Sequence, residues 1–206
     1  MDSKLNSLKS CNKKRTVLMP CFAVGILSLL FTLTSITSFV NAQVEENVSI
    51  TTTKLTNNTY MLKGSGGNII VSVGQDGVFM VDDQFAPLTE KIKQAISNIT
   101  DQPVKFVINT HWHSDHTGGN ENFGELGAII ISHDNVKKRL STEQFLEFFN
   151  RTVPPLSEKG WPIITFSDNM TIFQNGEEIR IIHVDNGHTD GDSIVYFTKS
   201  NVIHVG

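Results

Sequence analysis

Hydrophobic and polar positions along the 206-residue chain change their period several times, and each change predicts an element. "VSITTTKL" is rich in β-branched residues. "TYMLKG", "NIIVSV" and "GVFMVD" follow as short apolar runs cut by Gly and Asn, the pattern of strands divided by turns. In "PLTEKIKQAISNI" the period lengthens. Leu88, Ile92, Ala95, Ile96 and Ile99 fall on one helical face, and Pro87 suits a first helical turn. "VKFVIN" and "AIIIS" predict two more strands. "HDNVKKRLSTEQFLEFF" predicts a helix, with a restart at Ser141, where Ser141 and Gln144 form an S-x-x-Q capping pattern. Residues 151–162, with Pro154, Pro155, Gly160 and Pro162, predict an exposed loop. "MTIFQNGEEIRIIHV" predicts a hairpin, because Asn175-Gly176 supplies the positive φ angles of a type I′ turn. "SIVYFT" and "NVIHV" predict the last strands. Antiparallel runs first, then strands alternating with helices, predict an α/β fold built as a layered sandwich. Residues 43–206 contain no repeat or low-complexity linker and predict one domain.

Residues 1–42 follow another pattern. A polar, basic start ending in Lys13, Lys14 and Arg15 leads into the apolar run "VLMPCFAVGILSLLFTLTSITSFV" and then "NAQ". That order predicts a signal peptide, and Val40 and Ala42 suit cleavage before Gln43. The alternative is an uncleaved N-terminal anchor. Residues 17–40 exceed the about 20 apolar residues that span a bilayer, although Thr32, Thr34, Ser35, Thr37 and Ser38 dilute the second half. Either reading predicts a secreted or otherwise extracytoplasmic body, with membrane contact only if the leader is retained.

Composition narrows the chemistry. Cys11 and Cys21 both fall in the leader, so residues 43–206 have neither a disulfide nor a thiolate metal ligand. Any metal there must be held by nitrogen and oxygen. Residues 1–42 hold five of the 17 Lys+Arg and one of the 21 Asp+Glu, so the rest keeps 12 and 20, a net charge of −8. Such acidity argues against a nucleic-acid partner, which would need clustered cations. The run Lys137-Lys138-Arg139 reads as the solvated face of a helix. Asn47, Asn57, Asn98, Asn150 and Asn169 begin N-x-Ser/Thr sequons and would be surface sites in a host that glycosylates exported proteins.

The chain has seven histidines, and three of them stand in "THWHSDHTGGN". His111 and His113 are two apart, so in extended backbone both rings project the same way and can grip one cation. Asp115 and His116 come at the following turn and can reach a second. Gly118 and Gly119 are expected to let the backbone bend tightly there. Four ionisable groups so crowded repel or desolvate one another unless a metal binds them. Zinc suits the nitrogen–oxygen set, and a catalytic zinc takes three protein ligands and leaves one position open. His188, in the Gly-rich turn "DNGHTDGDS" with Asp185, Asp190 and Asp192, is the candidate third ligand. Asp82, ending the strand "GVFMVDD", is a candidate to brace a ligand imidazole. His133 is read as a helix cap or cleft residue, and His183 and His204 as strand residues. Trp112 and Trp161 are candidate apolar walls.

"HWHSDH" matches the H-x-H-x-D-H signature of the metallo-β-lactamase superfamily, and "GHTDGD" resembles the segment that carries its next histidine ligand. The resemblance runs from Val48 to Gly206. It implies a metallo-β-lactamase-like αββα sandwich with metals at one edge of the two sheets. It also implies a first zinc site of His111, His113 and His188, and a second that includes Asp115 and His116. In the family an aspartate commonly follows "HVG", and a further histidine ligand lies well downstream. The sequence stops at Gly206, so a truncated chain is expected, with the last part of the sandwich missing and the second zinc site incomplete. The implied activity is that of a secreted zinc-dependent hydrolase acting on a small-molecule substrate. A metal-bound hydroxide would attack a carbonyl, with Asp115 orienting the water and moving its proton. A β-lactam-type ring leads as substrate. The alternatives are a lactonase, a glyoxalase II-like thioesterase, or a non-catalytic metal-binding fragment. The di-iron redox variant of the fold usually has a glutamate where His113 stands, so this sequence speaks against it.

Overall fold

In the computed structural model, residues 47–147 and 150–206 are described, and the leader reading of residues 1–42 lies outside them. Strands β1 (Thr51–Lys54), β2 (Thr59–Lys63), β3 (Ile69–Ser72) and β4 (Val78–Val81) form an antiparallel meander. A 3₁₀ turn at Ala86–Leu88, with Pro87 inside it, leads into α1 (Thr89–Ser97). Ile92, Ala95 and Ile96 bury the apolar face of α1, as their spacing predicts. Then come β5 (Val104–Asn109), α2 (Ser114–Thr117), α3 (Asn120–Glu125), β6 (Ile129–His133) and α4 (Asp134–Leu140). A hairpin of β7 (Gln144–Leu146) and β8 (Arg151–Val153) precedes β9 (Ile164–Phe166). β4, β5, β6 and β9 pair in parallel, which completes a seven-stranded sheet. The second sheet is antiparallel: β10 (Asn169–Gln174), β11 (Glu177–His183), β12 (Ser193–Phe197) and β13 (Val202–His204).

Period-2 alternation sends each central strand into two cores at once. Ile69, Val71, Val78, Met80, Val107 and Ile130 face the helices and pack with Leu88, Ile92 and Phe123. Their neighbours Ile70, Phe79, Val81, Ile108 and Ile131 face the second sheet and meet Ile179, Ile181, Val195 and Phe197. The order helix, sheet, sheet supplies three of the four layers of the αββα sandwich expected from the sequence. The outer face of the second sheet presents Phe173 (77% exposed) and Ile203 (60%) to solvent. Among the described residues, no helix is long and apolar enough to cross a membrane. All five sequon asparagines are exposed.

Two expectations need correction. The helix after His133 stops at Leu140 instead of running or restarting through residue 149. The Ser141 and Thr142 hydroxyls both donate to the Lys138 carbonyl, closing the last turn. Beyond it Gln144–Leu146 form β7, where Phe145 is 59% exposed. The stretch 151–162 is likewise not all loop, since Arg151–Val153 is β8 and Glu158–Gly160 is a 3₁₀ turn. The Asn175-Gly176 hairpin is as expected, with φ of 53° and 76°. Asn175 Nδ2 also donates to the carbonyls of Ser72 (3.1 Å) and Gly77 (2.9 Å), which clips the second sheet to the β3–β4 connection of the first.

Candidate metal centre

β5 ends at Asn109, and the bond from Ser193 N–H to the Thr110 carbonyl (2.9 Å) joins that end to the start of β12. The two sheets therefore meet where the histidines begin. Asn109 and Asn120 exchange side-chain amide bonds of 3.0 and 2.9 Å in the buried floor, anchoring α3 to β5. His113 caps α2, which carries Asp115 and His116. Gly118 and Gly119 do not act through unusual torsions: their φ values are −64° and −81°. They act by close approach. A Cβ at Gly119 would lie 2.9 Å from the Asp83 carbonyl oxygen, and one at Gly118 would lie 2.7 Å from that of Gln84.

His111, His113 and His188 each offer a ring nitrogen, and these atoms lie within 4.8 Å of one another. His188 Nε2 is 3.0 Å from His113 Nδ1, although 75 residues separate them. The His111 ring centroid lies 5.0 Å from that of His113 and 5.2 Å from that of His188. Asp115 and His116 form the adjoining half of the site. His116 Nε2 is 3.2 Å from Asp115 Oδ2, and the His116 ring is 4.1 Å from that of His111. Both halves open into one cleft of about 280 Å³, which Asp192, Ser193, Val205 and Gly206 also line.

Asp82 is fully buried beneath this cluster at a φ of 60°. That region costs a non-glycine residue about 1–3 kcal/mol, and such residues concentrate at functional sites. Its Oδ1 accepts from Thr110 N–H (2.8 Å), and its Oδ2 accepts from the Thr110 hydroxyl (2.8 Å) and from His116 Nδ1 (2.8 Å). An ionised carboxylate only accepts, so both proton positions follow. His116 donates from Nδ1 to Asp82, and its Nε2 faces a second carboxylate, Asp115. The Thr110 hydroxyl spends its proton on Asp82, so at 3.2 Å it accepts from His111 Nδ1. His111 is thereby left with its lone pair on Nε2. One carboxylate thus orients one ring in each half.

Burial works against the Asp82 anion. The His116 hydrogen bond, the neighbouring His204 and His116 and the Thr110 N–H outweigh it, and the pKa lies below the ordinary value. Burial, with His116 close by, pulls His111 down to about 4 despite the opposing Asp82. Burial and then His188 lower His113. Burial also disfavours charge on His116, but the bond to Asp82 and the charges of Asp82 and Asp115 prevail and raise its pKa. Two neutral imidazoles beside a third, with a carboxylate and a fourth ring adjacent, fit a divalent cation, since only deprotonated nitrogens can bind one. The absence of thiols limits the set to nitrogen and oxygen.

The remaining candidates fall elsewhere. His133 caps α4, with Nδ1 accepting from Asn135 N–H (3.2 Å), and its ring stacks on that of His183 at 3.8 Å. His204 is buried and bonds through Nε2 to the Asn68 carbonyl (2.9 Å). Trp112 lies 4.6 Å from the His113 ring. Trp161 does not join the cleft. Its Nε1 donates to the Leu156 carbonyl, and it lines a separate hollow with Ala128, Ile130 and Ile163. Thr110 was invisible to sequence reasoning; its only signal was a hydroxyl residue directly before the first histidine.

The family model described as the metallo-beta-lactamase superfamily matches residues 52–206. The metallo-beta-lactamase type 2 of Elizabethkingia meningoseptica is 26% identical over 164 residues, 78% of this chain and 58% of that protein. The chain thus spans less than two thirds of that relative's length. Among solved structures, a metallo-beta-lactamase from Pontibacter korlensis aligns with a TM-score of 0.61 and 21% identity over 75% of this chain and 70% of that one. The metallo-beta-lactamase GOB-18 from Elizabethkingia meningoseptica aligns with a TM-score of 0.63 and 21% identity over 74% and 57%. At these identities the structural likeness is one of fold.

Proposed function

The chain belongs to the metallo-β-lactamase superfamily, and on that premise we propose that it is an extracytoplasmic zinc-dependent hydrolase of a small carbonyl substrate, with a β-lactam-type ring as the leading choice. The observation that carries this reading is the convergence of His111, His113 and His188 donor atoms within 4.8 Å, beside Asp115 and His116. The first three would hold one zinc ion, and Asp115 and His116 would contribute to a second. When bound, zinc supplies a water whose pKa falls to about 7 and a Lewis acid for the carbonyl oxygen. The chain's own part is positional and acid–base. Asp82 and Thr110 orient the rings of His111 and His116. Asp115, whose side chain is 41% exposed at the cleft, orients the attacking water and takes up its proton. The β-lactam choice draws on the names of the relatives, two of which are metallo-beta-lactamases of known structure. Residues 1–42 would direct export, leaving residues 43–206 as the hydrolase domain.

The test combines metal content with turnover. The full chain is loaded with zinc, counted, and assayed on a chromogenic β-lactam, a lactone and a thioester, with His113→Ala as control. We expect bound zinc and β-lactam opening that the control loses. Turnover of the lactone or thioester alone would move the assignment to those classes. Zinc without any turnover would leave a metal-binding chain, and no zinc at all would refute the proposal.

A further inference from the structure

His188 is exposed, so burial contributes little to holding it, yet its ring must meet two others across the sheet junction. Its turn is built around the Asp192 carboxylate. Asp192 Oδ2 accepts from the His188 backbone N–H, and Oδ1 accepts from Thr189 N–H (2.9 Å) and the Thr189 hydroxyl (2.5 Å). A Cβ at Gly187 would collide with the same carboxylate, so the turn is wrapped directly onto it.

Asp192 is itself anchored by bonds that do not involve the turn. Its carbonyl accepts from Val184 N–H (2.9 Å) and from His183 Nδ1 (2.8 Å). Ser193 follows it, opens β12, and donates to the Thr110 carbonyl, the backbone that leads into His111 and His113. On the outer side, Arg139 of α4 pairs with Asp190 (2.9 Å), and Asn135 Nδ2 donates to the Asp190 carbonyl (2.6 Å).

We propose that Asp192 is the positioning residue for the His188 arm of the metal centre: its carboxylate carries the rigidity of β12 into the turn and sets His188 against His111 and His113. This rests on the reading of the three histidines as a cation site. Asp192 touches neither reacting atoms nor the cation in this role; it acts through the backbone of His188. Ligands need placement to within about 0.5 Å to bind well, and loss of a residue that orients a ligand commonly lowers metal affinity about 10–100-fold.

The full chain is stripped of metal and titrated with zinc ion against a chromophoric chelator, as wild type, Asp192→Ala, Asp192→Asn, His188→Ala and the Asp192→Ala/His188→Ala pair. Melting of the metal-free proteins is recorded alongside. We expect Asp192→Ala to bind zinc about 10–100-fold more weakly. Asp192→Asn should fall between, because its single oxygen can serve either His188 N–H or Thr189. The double variant should lose less than the sum of the single losses. A purely structural turn residue would lower the melting temperature and leave the zinc affinity of the folded chain at the wild-type value, and that result overturns the proposal. Should Asp192→Ala fail to fold, the Asn variant decides by the same criterion. If wild type and His188→Ala bind zinc equally, the cation site itself is refuted, an outcome distinct from failure at Asp192.

Discussion

Asp83 offers the sharpest energetic test of the buried layer beneath the site. Its side chain is fully buried; Oδ1 accepts from Gly119 N–H (2.9 Å), while Oδ2 has no partner among the described residues. Burial, only partly offset by the Gly119 bond and reinforced by the charge of Asp82, pushes its pKa well above the ordinary value. The unfolded carboxyl titrates near about 3.9. A folded pKa above that means the native state holds its proton longer. The contribution to stability is therefore complete below the unfolded pKa and is lost as pH rises toward and through the folded one. Asp83→Asn removes the charge, preserves shape, and keeps an oxygen for Gly119. Near pH 4 both side chains are neutral with one unpartnered polar end, so the two proteins should be about equally stable. At pH 8 the wild type carries the full penalty of an unsatisfied buried group, about 1–3 kcal/mol. The variant should be more stable by that amount, about 2–12 °C in melting temperature for a domain of this size. Urea unfolding of both metal-free proteins at several pH values between 4.5 and 8 measures the difference. A gap that does not widen with pH, or one that favours wild type at pH 8, refutes the reasoning.

Three further outcomes follow from the site. Asp82→Ala leaves Thr110 N–H, the Thr110 hydroxyl and His116 Nδ1 without their acceptor, and should weaken zinc binding about 10–100-fold by calorimetry. Because His111 is held down to about 4 and His116 is raised, protons compete earlier for the Asp115–His116 half; zinc counted by mass spectrometry from pH 8 to pH 5 should leave that half before it leaves the three-histidine half. Gly119→Ala forces a Cβ against the Asp83 backbone and should destabilise the chain by about 1–3 kcal/mol in urea unfolding, with no change expected of a harmless substitution at an ordinary helical φ.

Much of this architecture could be read from residue order. The apolar runs in "NIIVSV" and "GVFMVD" gave strands, because a central strand between two apolar layers must be apolar on both faces. Asn175-Gly176 gave its turn, since few other pairs accept two positive φ angles. The grouping of His111, His113 and His116 was visible because local spacing sets it. His188 could be suggested by its turn but not located, for its approach depends on the bond that joins Ser193, at the start of β12, to Thr110 just after β5. Residues 141–147 misled because the apolar Phe145 and Leu146 suggest a helical face, whereas they lie on β7 with Phe145 59% exposed. Thr110 escaped because its role lies in a hydroxyl proton, and periodicity carries no information about that.

The arrangement around Asp82 has a consequence for any attempt to re-engineer this centre. Because its Oδ2 serves Thr110, and so His111, as well as His116, the two compartments share a single electrostatic tether. Selection for tighter holding in one will disturb the other, and their properties are bound to drift together. A redesign aimed at one half alone would first have to give His111 an acceptor of its own.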